Sequence, residues 1–104
     1  MNSEKKRKTA DLLTICNKAG KTVKGFDSVS EAVKNGKVFC VLTACDASAK
    51  TVKEAAFICE RYEVKLIGTE LTKDELGKFC GKQTAVIAVT DKGFADGFGR
   101  ISGK

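Results

Sequence analysis

Two short, continuously apolar runs constrain the fold of this chain more than any other feature. They are VFCVLTA at residues 38–44 and AVIAVT at residues 85–90. Apolar runs of strand length without polar alternation are typical of strands that are buried on both faces of a sheet. Residues 64–68 and 21–24 are two further, shorter strand candidates. A sheet of such strands requires helices on both of its faces.

Helical patterns alternate with these strands along the chain. Residues 3–18 predict the first helix, which Ala19-Gly20 ends. Asp46 or Ser48 is expected to cap the helix that follows the first long apolar run. The later helices are predicted at residues 28–35, 48–62, 72–81 and 91–98. This order predicts an α/β fold, a three-layer α/β/α sandwich with a four-stranded mixed central sheet.

Two sequence patterns have the form of a helix capping box. They are Thr72-x-x-Glu75 and Ser28-x-x-Glu31. The second follows Gly25, and a glycine turn that leads into a helix presents unpaired backbone N–H groups able to hold a phosphate or the edge of a base. Capping boxes are also common as plain helix starts, so the pattern alone leaves a structural and an RNA-binding interpretation open.

Length and hydropathy indicate one soluble domain. The chain has 104 residues, of which 42% are hydrophobic. It contains no apolar stretch near the roughly 20 residues of a membrane helix, and its basic start, MNSEKKRK, lacks the apolar segment of a secretory signal. We therefore expect a single cytoplasmic domain over residues 1–104, with no membrane partner. The basic residues 1–8 and residues 99–104 are expected to fray.

The cysteine and histidine content argues against metal and enzyme chemistry. The five cysteines have no CxxC spacing, and the chain has no histidine to complete a metal site or act as a general base. No dinucleotide or P-loop glycine pattern occurs. We expect no catalytic residue, no metal and no cofactor, and we expect the cysteines to be buried, reduced thiols. These are Cys16, Cys40, Cys45, Cys59 and Cys80.

Basic residues are concentrated in the two ends of the chain. The net charge is +6, and residues 1–37 carry nine Lys/Arg against four Asp/Glu. Residues 38–80 carry six against seven, and residues 81–104 four against two. If the ends meet on one surface, they form a patch suited to phosphates. The same residues could equally serve only to keep the domain soluble.

Short stretches in a fixed order resemble a known family. They are Ala19-Gly20-Lys21, the Gly25 turn, Ala32-Val33-x-x-Gly36-Lys37, VLTACDAS at residues 41–48, Glu75-Leu76-Gly77-x-x-Cys80-Gly81-Lys82 and residues 88–95. Together they span residues 9–98 and resemble the ribosomal protein L-seven-Ae and L-thirty-e superfamily, in particular its small bacterial, YlxQ-like members. The resemblance implies a monomeric, non-enzymatic protein that binds ribosomal or other structured RNA, associates with the ribosome or translation, and recognises kink-turns, which are sharply bent internal loops.

The resemblance also implies where RNA would be recognised. In RNA-binding members a Gly-x-Asn-Glu-x-x-Lys turn reads the sheared G·A pairs of the kink-turn, and a second loop packs on a protruding nucleotide. Gly25 matches the glycine, whereas Asp27, Ser28 and Glu31 replace the usual Asn, Glu and Lys. The second loop corresponds to residues 81–85. Asp27 offers only acceptors, and Glu31 places a negative charge where a cation would face phosphate.

These considerations define a predicted set of RNA-contacting residues. Phe26 could stack on an unpaired base, or it could be a hydrophobic staple onto the following helix. The basic side chains of the set are expected to surround the same face as the Gly25 turn. A protein-interaction module of the same fold, with lost kink-turn specificity, is the alternative. The set is Lys21, Lys24, Gly25, Phe26, Asp27, Ser28, Glu31, Lys34, Lys37, Lys82, Gln83 and Thr84.

Overall fold

Strands and helices alternate along the chain in the predicted order. The computed structural model describes residues 3–81 and 83–103. The elements are α1 (Ser3–Lys18), β1 (Thr22–Lys24), α2 (Phe26–Lys34), β2 (Cys40–Thr43), α3 (Ala49–Arg61), β3 (Lys65–Gly68), α4 (Lys73–Cys80), β4 (Val86–Val89) and α5 (Lys92–Gly103).

The strands form one mixed sheet in the order β1-β4-β2-β3. β4 pairs antiparallel with both β1 and β2, and Val89 is the partner of Thr22 on one side and of Cys40 on the other. β2 pairs parallel with β3. β1, β2 and β3 therefore run in one direction and β4 in the other, as the predicted four-stranded mixed sheet requires.

Each long strand is buried on both of its faces. In β4, Ile87 packs with α1, α4 and α5, whereas Ala88 packs with α2 and α3. Leu42 and Val41 of β2 divide between the two sides in the same way, because successive side chains of a strand point to opposite faces. This two-sided burial explains the uninterrupted apolar runs and confirms the three-layer α/β/α sandwich.

Two of the predicted helix caps are present. Ser48 caps α3, where its Oγ accepts from the backbone N of Thr51 at 3.1 Å. Thr72 and Glu75 form the predicted capping box of α4. Asp46 has another role, since its Oδ1 accepts from the backbone N of Lys73 at 2.8 Å. It thereby ties the start of α4 to the end of β2.

Two predictions about helix ends are wrong. The Ser28–Glu31 capping box does not form, because α2 begins at Phe26 and its N-cap is Gly25. The earlier start lets Phe26 pack against the core between α2 and α3, which outweighs the local preference of Ser28. α5 extends to Gly103, beyond the predicted end at residue 98, because the buried Phe98 anchors it to α1.

The cysteines differ in exposure. Cys16, Cys40 and Cys59 are buried as predicted, and burial raises the pKa of the Cys40 thiol to about 12 and that of Cys59 to about 11. Cys45 is exposed, contrary to the prediction, because β2 ends before it and leaves it in a loop. The side chain of Cys80 lies outside the described residues.

The described residues contain neither a metal-site cluster nor a membrane-spanning helix. Over residues 3–81 and 83–103, no cluster of histidine, cysteine and acidic side chains has the arrangement of a metal site. In the same part of the chain, no helix has the length and apolar character needed to cross a bilayer.

Candidate nucleic-acid interface

Four chain segments meet at one edge of the sheet. β1, β2 and β3 all end there and β4 begins there, so we call it the carboxyl edge. Backbone hydrogen bonds join its loops: Ala44 N donates to Ala85 O at 2.9 Å, and Cys45 N donates to Leu71 O at 2.8 Å. Because α2, α3 and α4 each follow one of the parallel strands, all three begin at the carboxyl edge.

Thr84 connects the Gly25 turn to the loop before β4. The backbone N of Gly25 donates to Thr84 Oγ1 at 3.2 Å, and Thr84 Oγ1 in turn donates to Val86 O at 2.7 Å. Thr84 is only 6% exposed. The two segments that the resemblance assigned to RNA recognition are therefore adjacent. Thr84, which the sequence predicted to contact RNA, is buried in the protein alone and hydrogen-bonds to both segments.

The N-terminus of α2 differs from those of the helices that follow it. Side-chain oxygens of Ser48, Thr72 and Asp91 accept hydrogen bonds from the first turns of α3, α4 and α5. The N-cap of α2 is Gly25, which has no side chain to accept such a bond. The first N–H groups of α2 have no helical partners, so they give the carboxyl edge a set of donors at the positive end of the helix dipole.

Two further residues, not identified from the sequence, hold members of the predicted set. Asn17 Oδ1 accepts from Lys24 Nζ at 3.3 Å and from Thr22 Oγ1 at 2.9 Å. Asp74 Oδ1 accepts from Gln83 Nε2. The two contacts join residues seven and nine positions apart that belong to different elements or loops, and no local sequence pattern predicts them. They restrict the directions in which the Lys24 and Gln83 side chains point.

The match to known sequences identifies the family. A sequence profile of the ribosomal protein L7Ae/L30e/S12e/Gadd45 family matches residues 7–97. The chain belongs to this family. It is 38% identical, over 86 residues, to the RNA-binding protein YlxQ of Bacillus subtilis, a match that covers 82% of this chain and 85% of that protein. The predicted membership of the superfamily, as a YlxQ-like member, is confirmed.

Solved structures show the same L7Ae-type fold. A Bacillus halodurans protein of unknown function superimposes with a TM-score of 0.86 at 28% identity, and the match covers 91% of this chain and 96% of that one. A Giardia lamblia 15.5 kDa RNA-binding protein superimposes with a TM-score of 0.80 at 21% identity, over 99% of this chain and 88% of that one. The second similarity concerns the fold alone.

The family-specific turn is exposed at the carboxyl edge. Asp27, Ser28 and Glu31 are all exposed. Asp27 and Glu31 are four residues apart on α2, so their side chains lie on the same side of the helix. Phe26 is half-buried and packs against the core between α2 and α3, which supports its structural interpretation. The turn thus presents acceptors and negative charge beside the first N–H groups of α2, which have no partners within the helix.

Three of the lysines predicted to lie on the face of the Gly25 turn are distant from it. The β1-α2-β2 crossover returns the chain to the opposite edge, which we call the amino edge, so Lys21 before β1 and Lys37 before β2 both lie there. Lys34 ends α2, whose nine residues span about 13 Å, and is therefore also distant from Gly25. Lys82 lies outside the described residues. Lys24 directly precedes Gly25, but its Nζ lies 3.3 Å from Asn17 Oδ1, in the last turn of α1 at the amino edge.

Other basic residues approach the carboxyl edge from α1. Because α1 ends at the amino edge, its basic first turns begin near the carboxyl edge. Lys6 Nζ is 2.8 Å from Glu75 Oε2 at the start of α4, and this hydrogen bond is the main cause that lowers the pKa of the Glu75 carboxyl. Lys5 and Ser102 line one small cavity. The two ends of the chain therefore meet beside β3, whereas Arg100 of α5 lines another cavity with Phe39 and Lys65 at the amino edge.

Proposed function

We propose that this protein binds structured RNA of the kink-turn class through the carboxyl edge of its sheet. The observation that carries the proposal is the direct connection of the Gly25 turn to the loop at residues 83–85 through Thr84. RNA recognition in the family, as the sequence resemblance implies, uses these two segments together. The B. subtilis relative is itself named an RNA-binding protein.

The chemistry of the turn suits purine edges more than phosphates. The Asp27 carboxylate accepts hydrogen bonds, and the Ser28 hydroxyl both accepts and donates. Such groups can bind the exocyclic amino groups that sheared G·A pairs expose. The N–H groups of the first turn of α2 can donate to a base or a phosphate oxygen. Phosphates along the flanking stems would face the basic first turns of α1.

The acidic side chains set a limit on affinity. Asp27 and Glu31 repel phosphate, so we expect binding to depend on the shape of the RNA and on base contacts more than on charge. We assign the protein no catalytic role. We place it in the cytoplasm as a monomer, with ribosomal RNA or another structured RNA as its partner and with a function linked to the ribosome or translation.

Binding to matched RNAs across a salt series tests this proposal. We expect tighter binding to a kink-turn RNA than to a plain duplex of equal length. For phosphate contacts, log K should fall linearly with log salt, by roughly 0.7–0.9 per phosphate neutralised. Equal affinity for the two RNAs would contradict kink-turn recognition, and absence of binding to either RNA at low salt would contradict RNA binding altogether.

A protein-interaction module is the second candidate function. The observation that favours it is the pair of exposed carboxylates, Asp27 and Glu31, at the turn where the family usually carries Asn and Lys. Partners that co-purify with the protein and remain bound after nuclease treatment would support this function. Recovery of RNA alone, lost on nuclease treatment, would reject it.

A further inference from the structure

An open groove of about 600 Å³ lies between α2 and α3. We call it the α2–α3 groove, and it is distinct from the Gly25 turn and the loop at residues 83–85. Its principal lining residues are Phe26, Lys34, Lys53, Phe57, Arg61 and Tyr62. We propose that it binds unpaired nucleotides of single-stranded RNA that continues from the structured RNA at the carboxyl edge. The inference deepens the proposed function and rests on it.

Helical spacing places the wall of the groove in a regular row. Lys53, Phe57 and Arg61 of α3 are four residues apart, so they follow one another along the helix surface. A cation thus flanks an aromatic ring on each side. This arrangement matches the alternation of phosphate and base along a nucleic acid strand.

The aromatic side chains of the groove offer free surface above an apolar floor. Phe57 is 64% exposed and Tyr62 is 39% exposed. Beneath them, Phe26 and Ile58 pack against the core between α2 and α3. Exposed rings over a firm apolar base form a stacking platform, on which unpaired bases of any identity can lie. The groove therefore has the geometry of a single-strand site.

Charge favours RNA over a protein segment as the occupant. The groove is lined by three cations, Lys34, Lys53 and Arg61, against one carboxylate, Glu54. The middle third of the sequence is slightly acidic as a whole, yet the face of α3 that lines the groove carries an excess of cations. The Arg61 guanidinium can also stack on a base while it pairs with phosphate.

The groove continues from the candidate interface. Phe26 directly follows Gly25, so one end of the groove adjoins the carboxyl edge. Lys34, at the end of α2, also lines the groove and lies about 13 Å along the helix from Phe26. A strand that leaves the stem of a kink-turn bound at the edge can therefore enter the groove without crossing another element of the fold.

Tyr62 provides a direct readout of the groove. It is the single tyrosine of the chain, which has no tryptophan, so the tyrosine fluorescence of the full-length protein reports this site. We propose to titrate the protein with a blunt-ended kink-turn RNA and with the adenosine strand alone. Two further RNAs carry a single-stranded adenosine tail, one on the first end and one on the other end of the same kink-turn. We expect the tail on one end to raise affinity about tenfold and to quench Tyr62, and the blunt RNA to leave Tyr62 emission unchanged.

Two aromatic variants separate stacking in the groove from general effects. Phe57→Ala should remove the tenfold gain from the tail and leave the affinity for blunt RNA unchanged. The matched control is Phe39→Ala, since Phe39 is 48% exposed and lies outside the groove. It should leave both affinities unchanged. Circular dichroism checks that both variants are folded.

The outcomes distinguish this inference from the proposed function. If blunt RNA binds tightly but a tail on neither end raises the affinity or quenches Tyr62, the inference is overturned and the proposed function stands. That result would favour a protein partner for the groove. Quenching of Tyr62 by the free adenosine strand, without binding of blunt kink-turn RNA, would support the single-strand site and overturn kink-turn recognition.

Discussion

Glu31→Lys is expected to tighten the binding of kink-turn RNA by about tenfold at low salt. The change replaces a carboxylate with an ammonium group at the α2 position where the family usually carries Lys. It should also make the dependence of log K on log salt steeper by about one unit, because one more phosphate is neutralised. Fluorescence anisotropy with labelled RNA across a salt series measures both effects.

Glu60→Lys is the matched control. It makes the same change of charge at an exposed position near the end of α3, at the amino edge. Because α2 has no side-chain cap, Glu31→Lys should alter the free energy of unfolding by less than about 0.5 kcal/mol. Equal gains from both variants would show an effect of net charge only. No gain from Glu31→Lys would place the RNA elsewhere on the protein.

Gly25→Ala is expected to lower the free energy of unfolding by about 1–3 kcal/mol. Gly25 has φ 88° and ψ 141°, a conformation that a residue with a Cβ atom adopts only with strain. The space around it is open, since an added Cβ would have no atom within 4 Å. The cost is therefore one of backbone conformation, and urea denaturation measures it directly.

The same variant should weaken RNA binding, because a change of the strained backbone at position 25 would move its N–H away from Thr84 Oγ1 and so misalign the two candidate segments. Gly68→Ala is the control for loss of a glycine. Its backbone is not in the positive-φ region, and an added Cβ would lie 3.8 Å from Thr43 Oγ1, an ordinary contact. Equal stability of the two variants would contradict the assigned role of the Gly25 conformation.

The sequence predicted those features that depend on local patterns. The continuous apolar runs indicated β2 and β4, because burial on both faces removes polar alternation. The Thr72–Glu75 capping box and Gly81 indicated the two ends of α4, because each cap depends only on residues that are close together in the sequence. The family resemblance identified the Gly25 turn. These predictions required no knowledge of which segments meet in the folded protein.

The incorrect predictions depended on tertiary contacts. The Ser28–Glu31 pattern was a valid local capping signal, but the packing of Phe26 moved the helix start. The number of charged residues in each part of the sequence could not show that the crossover through α2 brings Lys37 to the amino edge, opposite the Gly25 turn. The Lys24–Asn17 hydrogen bond joins α1 to β1, a pairing that only the fold defines.

Mapping the bound RNA on the protein surface tests the central claim most directly. Amide chemical shifts of the labelled protein can be followed by NMR while blunt-ended kink-turn RNA is added. We predict that the largest changes occur at residues 24–28 and 83–85, at the carboxyl edge, and that Lys21 and Lys37 at the amino edge change little. Large changes at Lys21 and Lys37, with none at residues 24–28, would contradict the proposed interface.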